Sequence, residues 1–133
     1  MEKPKVLVID DDPDLVESIR ITLTANNYEV YGAENGTEGL RLVKEIHPDL
    51  IILDVMMDTI TEGFQVSYQL RNPDPQSEYK EYSNIPILML TGISQKTHMK
   101  FSPEADKDYL PVEAFMEKPI RLEALLERVK KLI

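Results

Sequence analysis

Short apolar runs alternate along the chain with segments in which apolar residues recur every three or four positions. The runs are mostly aliphatic and rich in β-branched residues, which is typical of strands buried on both faces of a sheet. The predicted strands are Lys5–Ile9, Tyr28–Tyr31, Leu50–Leu53, Pro86–Leu90 and Ala114–Glu117. The segments between them predict helices from Pro13 to about Asn26, from Thr37 to Ile46, from Gly63 to Arg71, and from Leu122 to the C-terminus.

Buried strands that alternate with helices indicate an α/β protein whose parallel sheet is covered by helices on both faces. Right-handed crossovers restrict such a sheet to a few topologies. Two connections depart from the regular alternation. Asn72–Asn84 is polar and longer than usual, and its Tyr79 and Tyr82 are predicted to be exposed loop residues. Ser94–Glu113 contains two prolines, so the fourth crossover is predicted to be irregular.

The composition narrows the class of protein. A chain of 133 residues suits one domain, which we predict to span residues 1–133. The formal net charge of −9 argues against direct DNA binding, because binding phosphates calls for clustered Lys and Arg. The absence of cysteine excludes disulfides and thiolate chemistry. Since no apolar run suits a membrane span or a signal peptide, we predict a cytoplasmic domain without membrane insertion.

Polar residues of complementary chemistry follow the predicted strands at the end where each strand stops. Asp10 and Asp11 follow the first strand, Asp54 the third, Thr91 the fourth and Lys118 the fifth. Because the carboxyl ends of parallel strands meet at one edge of the sheet, we expect three carboxylates, a hydroxyl and an ammonium to converge there. One acid at a strand end is common in turns, whereas convergence from four strands indicates a functional site.

Such an edge suits a hard divalent cation and phosphoryl chemistry. Mg²⁺ takes oxygen ligands, which Asp10, Asp11 and Asp54 can provide together with a backbone carbonyl near Met56. A carboxylate held there can also attack phosphorus and form an aspartyl phosphate, while the ammonium and the hydroxyl hold the remaining phosphoryl oxygens. The neighbouring acid Asp12, like Asp14, is predicted to cap the first helix and not to bind the metal.

Four stretches that carry these residues resemble one known family in their order and approximate spacing. They read VLVIDDDPDL, HPDLIILDVMM, IPILMLTG and FMEKPI. Each is weak alone, but together they are highly specific, and nearly the whole chain resembles the receiver domain of a two-component response regulator. The resemblance implies a doubly wound, flavodoxin-like sheet of five parallel strands. We expect no output domain within these 133 residues, which are predicted to form either a single-domain regulator or a fragment of a longer one.

The resemblance also implies a role for each residue of the predicted site. Asp54 matches the residue that accepts a phosphoryl group from the phosphohistidine of a sensor histidine kinase or of a histidine phosphotransfer protein. Asp10 and Asp11 match the acidic pair that binds Mg²⁺, and Asp54 and the Met56 backbone carbonyl match the other metal ligands. Lys118 matches the lysine of the family's site.

A switch is implied as well, through which phosphorylation changes a binding face for an unidentified downstream protein. Thr91 matches the switch hydroxyl, Phe115 the aromatic residue that moves on activation, and Lys118–Pro119 a peptide bond that is usually cis. The chain departs from the family pattern in three places near the site. Phe115 lacks the hydroxyl of the more common Tyr, Gly92 replaces a common Ala, and the loop at Asp58–Gly63 is about one residue longer.

The sequence is also compatible with two other functions. A phosphatase similar to the haloacid dehalogenases would also use Asp54 as a nucleophile, but it would need an acid two residues later, where Met56 stands. A domain that binds partners without phosphorylation is the second alternative, and the irregular Ser94–Glu113 crossover is compatible with it. The complete set of acids, hydroxyl and lysine argues against this second alternative, and the missing acid argues against the phosphatase. We therefore predict a regulatory phosphoacceptor and not an enzyme with turnover.

Overall fold

A computed structural model of the protein describes residues 3–54, 62–72, 74–91 and 114–133. The strands are β1 (Lys5–Ile9), β2 (Glu29–Ala33), β3 (Leu50–Asp54), β4 (Ile87–Thr91) and β5 (Ala114–Glu117). The helices are α1 (Pro13–Thr24), α2 (Gly36–Ile46), α3 (Glu62–Arg71), a short 3₁₀ helix (Lys80–Tyr82) and α4 (Leu122–Leu132). The crossover predicted to be irregular, Ser94–Glu113, lies outside the described residues.

The five strands form one parallel sheet in the order β2–β1–β3–β4–β5. The chain runs from β1 out to β2 at one edge, returns to β3 on the other side of β1, and continues through β4 to β5. This is a doubly wound sheet, as the family resemblance implies, and the predicted fold class is confirmed. In sheets of this kind ligands bind beyond the carboxyl ends of the strands, at the point where the order reverses. Here that point lies between β1 and β3.

Side chains of each central strand alternate between two hydrophobic layers, one on each face of the sheet. The layer under α2 and α3 includes Leu7, Ile9, Ile51, Leu53, Ile87 and Met89 from the strands. The layer under α1 and α4 includes Val6, Val8, Leu50, Ile52, Leu88 and Leu90. Burial on both faces explains why these strands read as continuous apolar runs, and it holds the strand ends in fixed positions.

The second strand begins one residue later and ends two residues later than predicted. The Tyr28 N–H donates to the Leu23 carbonyl at 3.1 Å, so Tyr28 closes the last turn of α1 before the strand starts. Pairing with β1 then runs from Glu29 to Ala33. Past the end of this ladder, the Asp10 N–H donates to the Ala33 carbonyl at 3.0 Å, which fixes the backbone where the acidic stretch begins.

The connection between α3 and β4 packs against the domain, and the prediction that its tyrosines are exposed is wrong. Tyr79 and Tyr82 are 9% and 5% exposed and belong to the layer under α2 and α3. Arg71, at the end of α3, donates to two backbone carbonyls near the end of the connection at 2.7 and 2.5 Å. The Lys44 ammonium of α2 lies 4.8 Å from the centre of the Tyr79 ring. Two buried tyrosines therefore hold this polar segment against the domain.

Gly39 allows α2 to approach the end of β1 that carries the acids. A Cβ atom at this position would lie 2.4 Å from Ile9 Cδ1 and 2.8 Å from Ile9 Cγ1. In a helix interior, alanine is more stable than glycine by about 1 kcal/mol, but overpacking a core lowers stability by about 1–3 kcal/mol. We therefore expect Gly39→Ala to lower the free energy of unfolding by about 1 kcal/mol, measured by urea denaturation.

The variant Ile9→Val tests the cause of this loss because it removes Cδ1, the atom nearest to the added methyl group. In the double variant the destabilisation should be smaller than the sum of the two single effects. Additive effects would show that contact with Ile9 is not the cause of the destabilisation by Gly39→Ala.

Candidate functional site

Strands β1 and β3 bring two acids to the same point at the carboxyl edge of the sheet. The strands are neighbours, and Ile9 pairs with Leu53, so the residues that follow, Asp10 and Asp54, lie side by side. Asp10 is 1% exposed and Asp54 is 2% exposed. Two carboxylates buried this close together repel each other, and burying their charges costs free energy unless a cation is bound nearby. A positive charge nearby is therefore needed to stabilise the two carboxylates.

A third carboxylate, that of Asp11, completes the acidic group. One oxygen from each of Asp10, Asp11 and Asp54 lies within 4.8 Å of the others, and Asp11 is exposed where the other two are buried. The group thus combines hard oxygen donors with access from solvent. Mg²⁺ is bound in proteins by one or two carboxylates together with waters and substrate phosphates, so these donors fit the ion.

Lys118, which follows β5, extends its ammonium to both buried acids. Its Nζ lies 3.0 Å from Asp10 Oδ2 and 3.3 Å from Asp54 Oδ1, and its side chain is 27% exposed. Burial alone would lower the pKa of Lys118, but the charges and hydrogen bonds of Asp10 and Asp54 outweigh it and raise that pKa. The ammonium is therefore fixed in its charged form and offsets part of the repulsion between the two acids.

Asp12 caps α1, as the sequence predicts. Its side chain accepts hydrogen bonds from the N–H groups of Asp14 at 3.0 Å and Leu15 at 3.3 Å. Its backbone N–H donates to Asp10 Oδ1 at 2.9 Å, a link that the sequence analysis missed. No sequence signal predicts this bond, because it depends on the direction of the backbone in the turn.

For Thr91 and Phe115, the other residues of the predicted site in the described strands, the structure gives the backbone positions. Thr91 is the last residue of β4, one position beyond the residue that pairs with Asp54, and Phe115 lies in β5 opposite Met89. The side chains of Thr91 and Phe115, like the Met56 carbonyl, lie outside the part of the molecule that the structure describes. The Lys118–Pro119 peptide bond is cis, the form that the family resemblance implies.

A protein-family model, the response regulator receiver domain, matches residues 6–130. The chain belongs to this family. Its members are regulatory phosphoacceptor domains of two-component signalling. The prediction that the acidic edge accepts a phosphoryl group thus agrees with family membership. The family is one of regulatory domains, whereas a phosphatase is an enzyme that turns over its substrate.

Curated relatives and solved structures give the same result. The chain is 36% identical over 132 residues to the DNA-binding dual master transcriptional regulator RpaA of Synechocystis sp., covering 98% of this chain and 49% of the relative. It is 36% identical over 130 residues to the response regulator MprA of a Mycobacterium sp., covering 97% and 50%. The structure of the chemotaxis protein CheY4 of Vibrio cholerae matches with a TM-score of 0.76 and 31% identity, over 98% of this chain and 99% of that one.

The receiver domain spans about half the length of the curated relatives that it matches. The DNA binding named for RpaA is therefore a property of that longer protein, and the similarity seen here concerns the receiver part. Among the described helices of this receiver, none combines the length and the apolar character that crossing a membrane would require.

Proposed function

We propose that this receiver domain accepts a phosphoryl group on Asp54, with Mg²⁺ held by Asp10, Asp11 and Asp54. The donor is the phosphohistidine of a sensor histidine kinase or of a histidine phosphotransfer protein. The observation that carries the proposal is the convergence of three carboxylates and one ammonium at the carboxyl edge of the sheet. One oxygen from each carboxylate lies within 4.8 Å of the others, and the Lys118 ammonium lies within 3.3 Å of an oxygen of both Asp10 and Asp54. Family membership supports the same chemistry.

In the transfer, a carboxylate oxygen of Asp54 attacks phosphorus, the new P–O bond forms, and the P–N bond to the histidine breaks with its electron pair left on the imidazole. When bound, Mg²⁺ supplies positive charge that offsets the charges of the carboxylate and the phosphoryl oxygens, with the Met56 carbonyl as a further proposed ligand. Asp54 is held at the end of a buried strand, so its oxygens stand at a fixed distance from the other acids.

Lys118 stabilises the phosphorylated state in this proposal. Its ammonium already lies between Asp10 and Asp54, and one of the new phosphoryl oxygens on Asp54 would take over that contact. Thr91, at the end of the neighbouring strand β4, is the proposed hydroxyl partner, and Phe115 in β5 is the proposed aromatic switch residue. When Lys118 exchanges a carboxylate for a phosphoryl oxygen, the charge at the site changes locally. Local changes of this kind can shift the equilibrium between two conformations of a protein.

The proposed partners are proteins. A histidine kinase or histidine phosphotransfer protein supplies the phosphoryl group in the cytoplasm, and a downstream protein reads the altered face. The net charge of −9 on these 133 residues supports a domain that does not itself bind DNA. We propose residues 1–133 as one receiver domain in this role.

Stabilisation by Mg²⁺ tests the metal site. A ligand present at ten times its Kd stabilises the folded state by about 1.4 kcal/mol, which we expect to raise the melting temperature by about 3–6 °C. Beryllofluoride, a phosphoryl mimic, should add a further rise in the presence of Mg²⁺, and Asp54→Asn should remove that second rise. A shift that sodium chloride reproduces at the same ionic strength would show screening of the acids in place of a metal site.

A further inference from the structure

Asp12 connects the helix that follows it with the acid that stands two residues before it. Its side chain accepts the N–H groups of Asp14 and Leu15 at 3.0 and 3.3 Å, while its own N–H donates to Asp10 Oδ1 at 2.9 Å. The side chain of Asp12 is exposed, and the group of close carboxylates found among the described residues does not include it. Its contact with the site thus runs through the backbone.

The carboxylate of Asp10 is held from two sides. Lys118 binds Oδ2 at 3.0 Å through a long side chain, whereas the Asp12 N–H binds Oδ1 from the main chain. Asp12 has extended backbone angles of φ −93° and ψ 102°, and its carbonyl accepts the first helical bond from the Val16 N–H at 3.1 Å. Asp12 therefore holds Asp10 through its backbone N–H and begins α1 through its carbonyl and its side chain.

We propose that Asp12 is a positioning residue for the metal ligand Asp10. By capping α1 it fixes the backbone N–H that orients the Asp10 carboxylate, and it thereby sets the affinity of the site for Mg²⁺. Hydrogen-bond partners that orient a metal ligand commonly contribute tenfold or more to metal affinity. The inference rests on the proposed function, because it requires Mg²⁺ at the three carboxylates.

Three variants separate the cap from the charge of Asp12. Asp12→Ser and Asp12→Asn keep a capping oxygen, Asp12→Ala removes it, and none of the three retains the negative charge. We expect the Ser and Asn variants to bind Mg²⁺ about tenfold more tightly than the Ala variant, measured by calorimetric titration of the folded protein with MgCl₂. The Ser–Ala difference reports the cap alone, since the long-range attraction of the cation is weakened equally in both.

A second readout needs no metal. Without Mg²⁺, the amide at position 12 should exchange its hydrogen faster in Asp12→Ala than in Asp12→Ser, because the Asp10 carboxylate no longer holds it firmly. Asn35 provides the matched control, since its side chain caps α2 in the same way by accepting the Glu38 N–H at 2.8 Å. Asn35→Ala loses a cap as well, and we expect its Mg²⁺ affinity to stay within about twofold of the wild type.

Equal Mg²⁺ affinity in the Ala, Ser and Asn variants, with normal binding by the wild type, would overturn the positioning role and leave the metal site intact. An equal loss of affinity in Asn35→Ala would also overturn it, because general helix stability would then be the cause. A wild-type protein that binds no Mg²⁺ would refute the proposed metal site itself, and the positioning role with it.

Discussion

We expect Asp54→Asn to abolish the covalent phosphoryl adduct that the wild-type protein forms with acetyl phosphate or a phosphorylated kinase in the presence of Mg²⁺. Asparagine has nearly the same shape, but its amide oxygen is a poor nucleophile toward phosphorus. The measurement is intact-protein mass spectrometry over a time course. Asp54 shares an ammonium with a second buried acid, so replacing it also relieves repulsion, and we expect the variant to fold.

Asp11→Asn is the matched control for this result. It removes one of the three carboxylates of the group, yet it leaves the nucleophile in place and changes an exposed residue. Formation of the adduct should slow in this variant without disappearing, because Asp54 is still present while the metal is bound by fewer charges. An adduct that persists unchanged in Asp54→Asn would assign the phosphoryl group to another residue.

Replacing Lys118 should produce the largest change in stability at the site. Without Mg²⁺, Lys118→Met leaves the buried carboxylates of Asp10 and Asp54 without the ammonium that contacts both of them. Breaking a buried ion pair from one side costs about 3–5 kcal/mol, and the partial exposure of Lys118 reduces this. We expect the free energy of unfolding to fall by about 2 kcal/mol in urea denaturation, and Mg²⁺ to restore more stability than it adds to the wild type.

Arg20→Met gives the control for loss of a surface ion pair. Arg20 pairs with Glu17 one turn away on α1, and both side chains are about half exposed. Removing this pair should cost much less stability than Lys118→Met does, with an unchanged response to Mg²⁺. If Lys118→Met lost the same stability with and without saturating Mg²⁺, the ammonium and the metal would not be offsetting the charge of the same carboxylates.

The sheet and its acidic edge could be predicted from the sequence because both follow from local pattern and topology. Strands buried on both faces leave continuous apolar runs, and parallel strands necessarily end at the same edge. Asp10 and Asp54 could therefore be expected side by side although 44 positions separate them in the chain, and β1 and β3 do bring them together. Lys118 followed from the same argument at the end of β5.

What could not be predicted depends on tertiary contacts that leave no periodic signal. Tyr79 and Tyr82 stand in a polar segment, and their burial results from contact with α2 and α3. The start of β2 after Tyr28 depends on a hydrogen bond to the last turn of α1. The bond from the Asp12 N–H to Asp10 likewise depends on backbone direction in a turn, which residue type alone does not determine.

The most direct test of the central claim is to locate the phosphoryl group on the wild-type protein. The protein is phosphorylated in Mg²⁺, the acyl phosphate is reduced with borohydride, and the peptides are sequenced by mass spectrometry to find the reduced residue. We predict reduction at Asp54 alone, and none when EDTA replaces Mg²⁺. Reduction at another carboxylate, or an equal yield at Asp54 in EDTA, would contradict the proposal that Asp54 is the Mg²⁺-dependent phosphoacceptor.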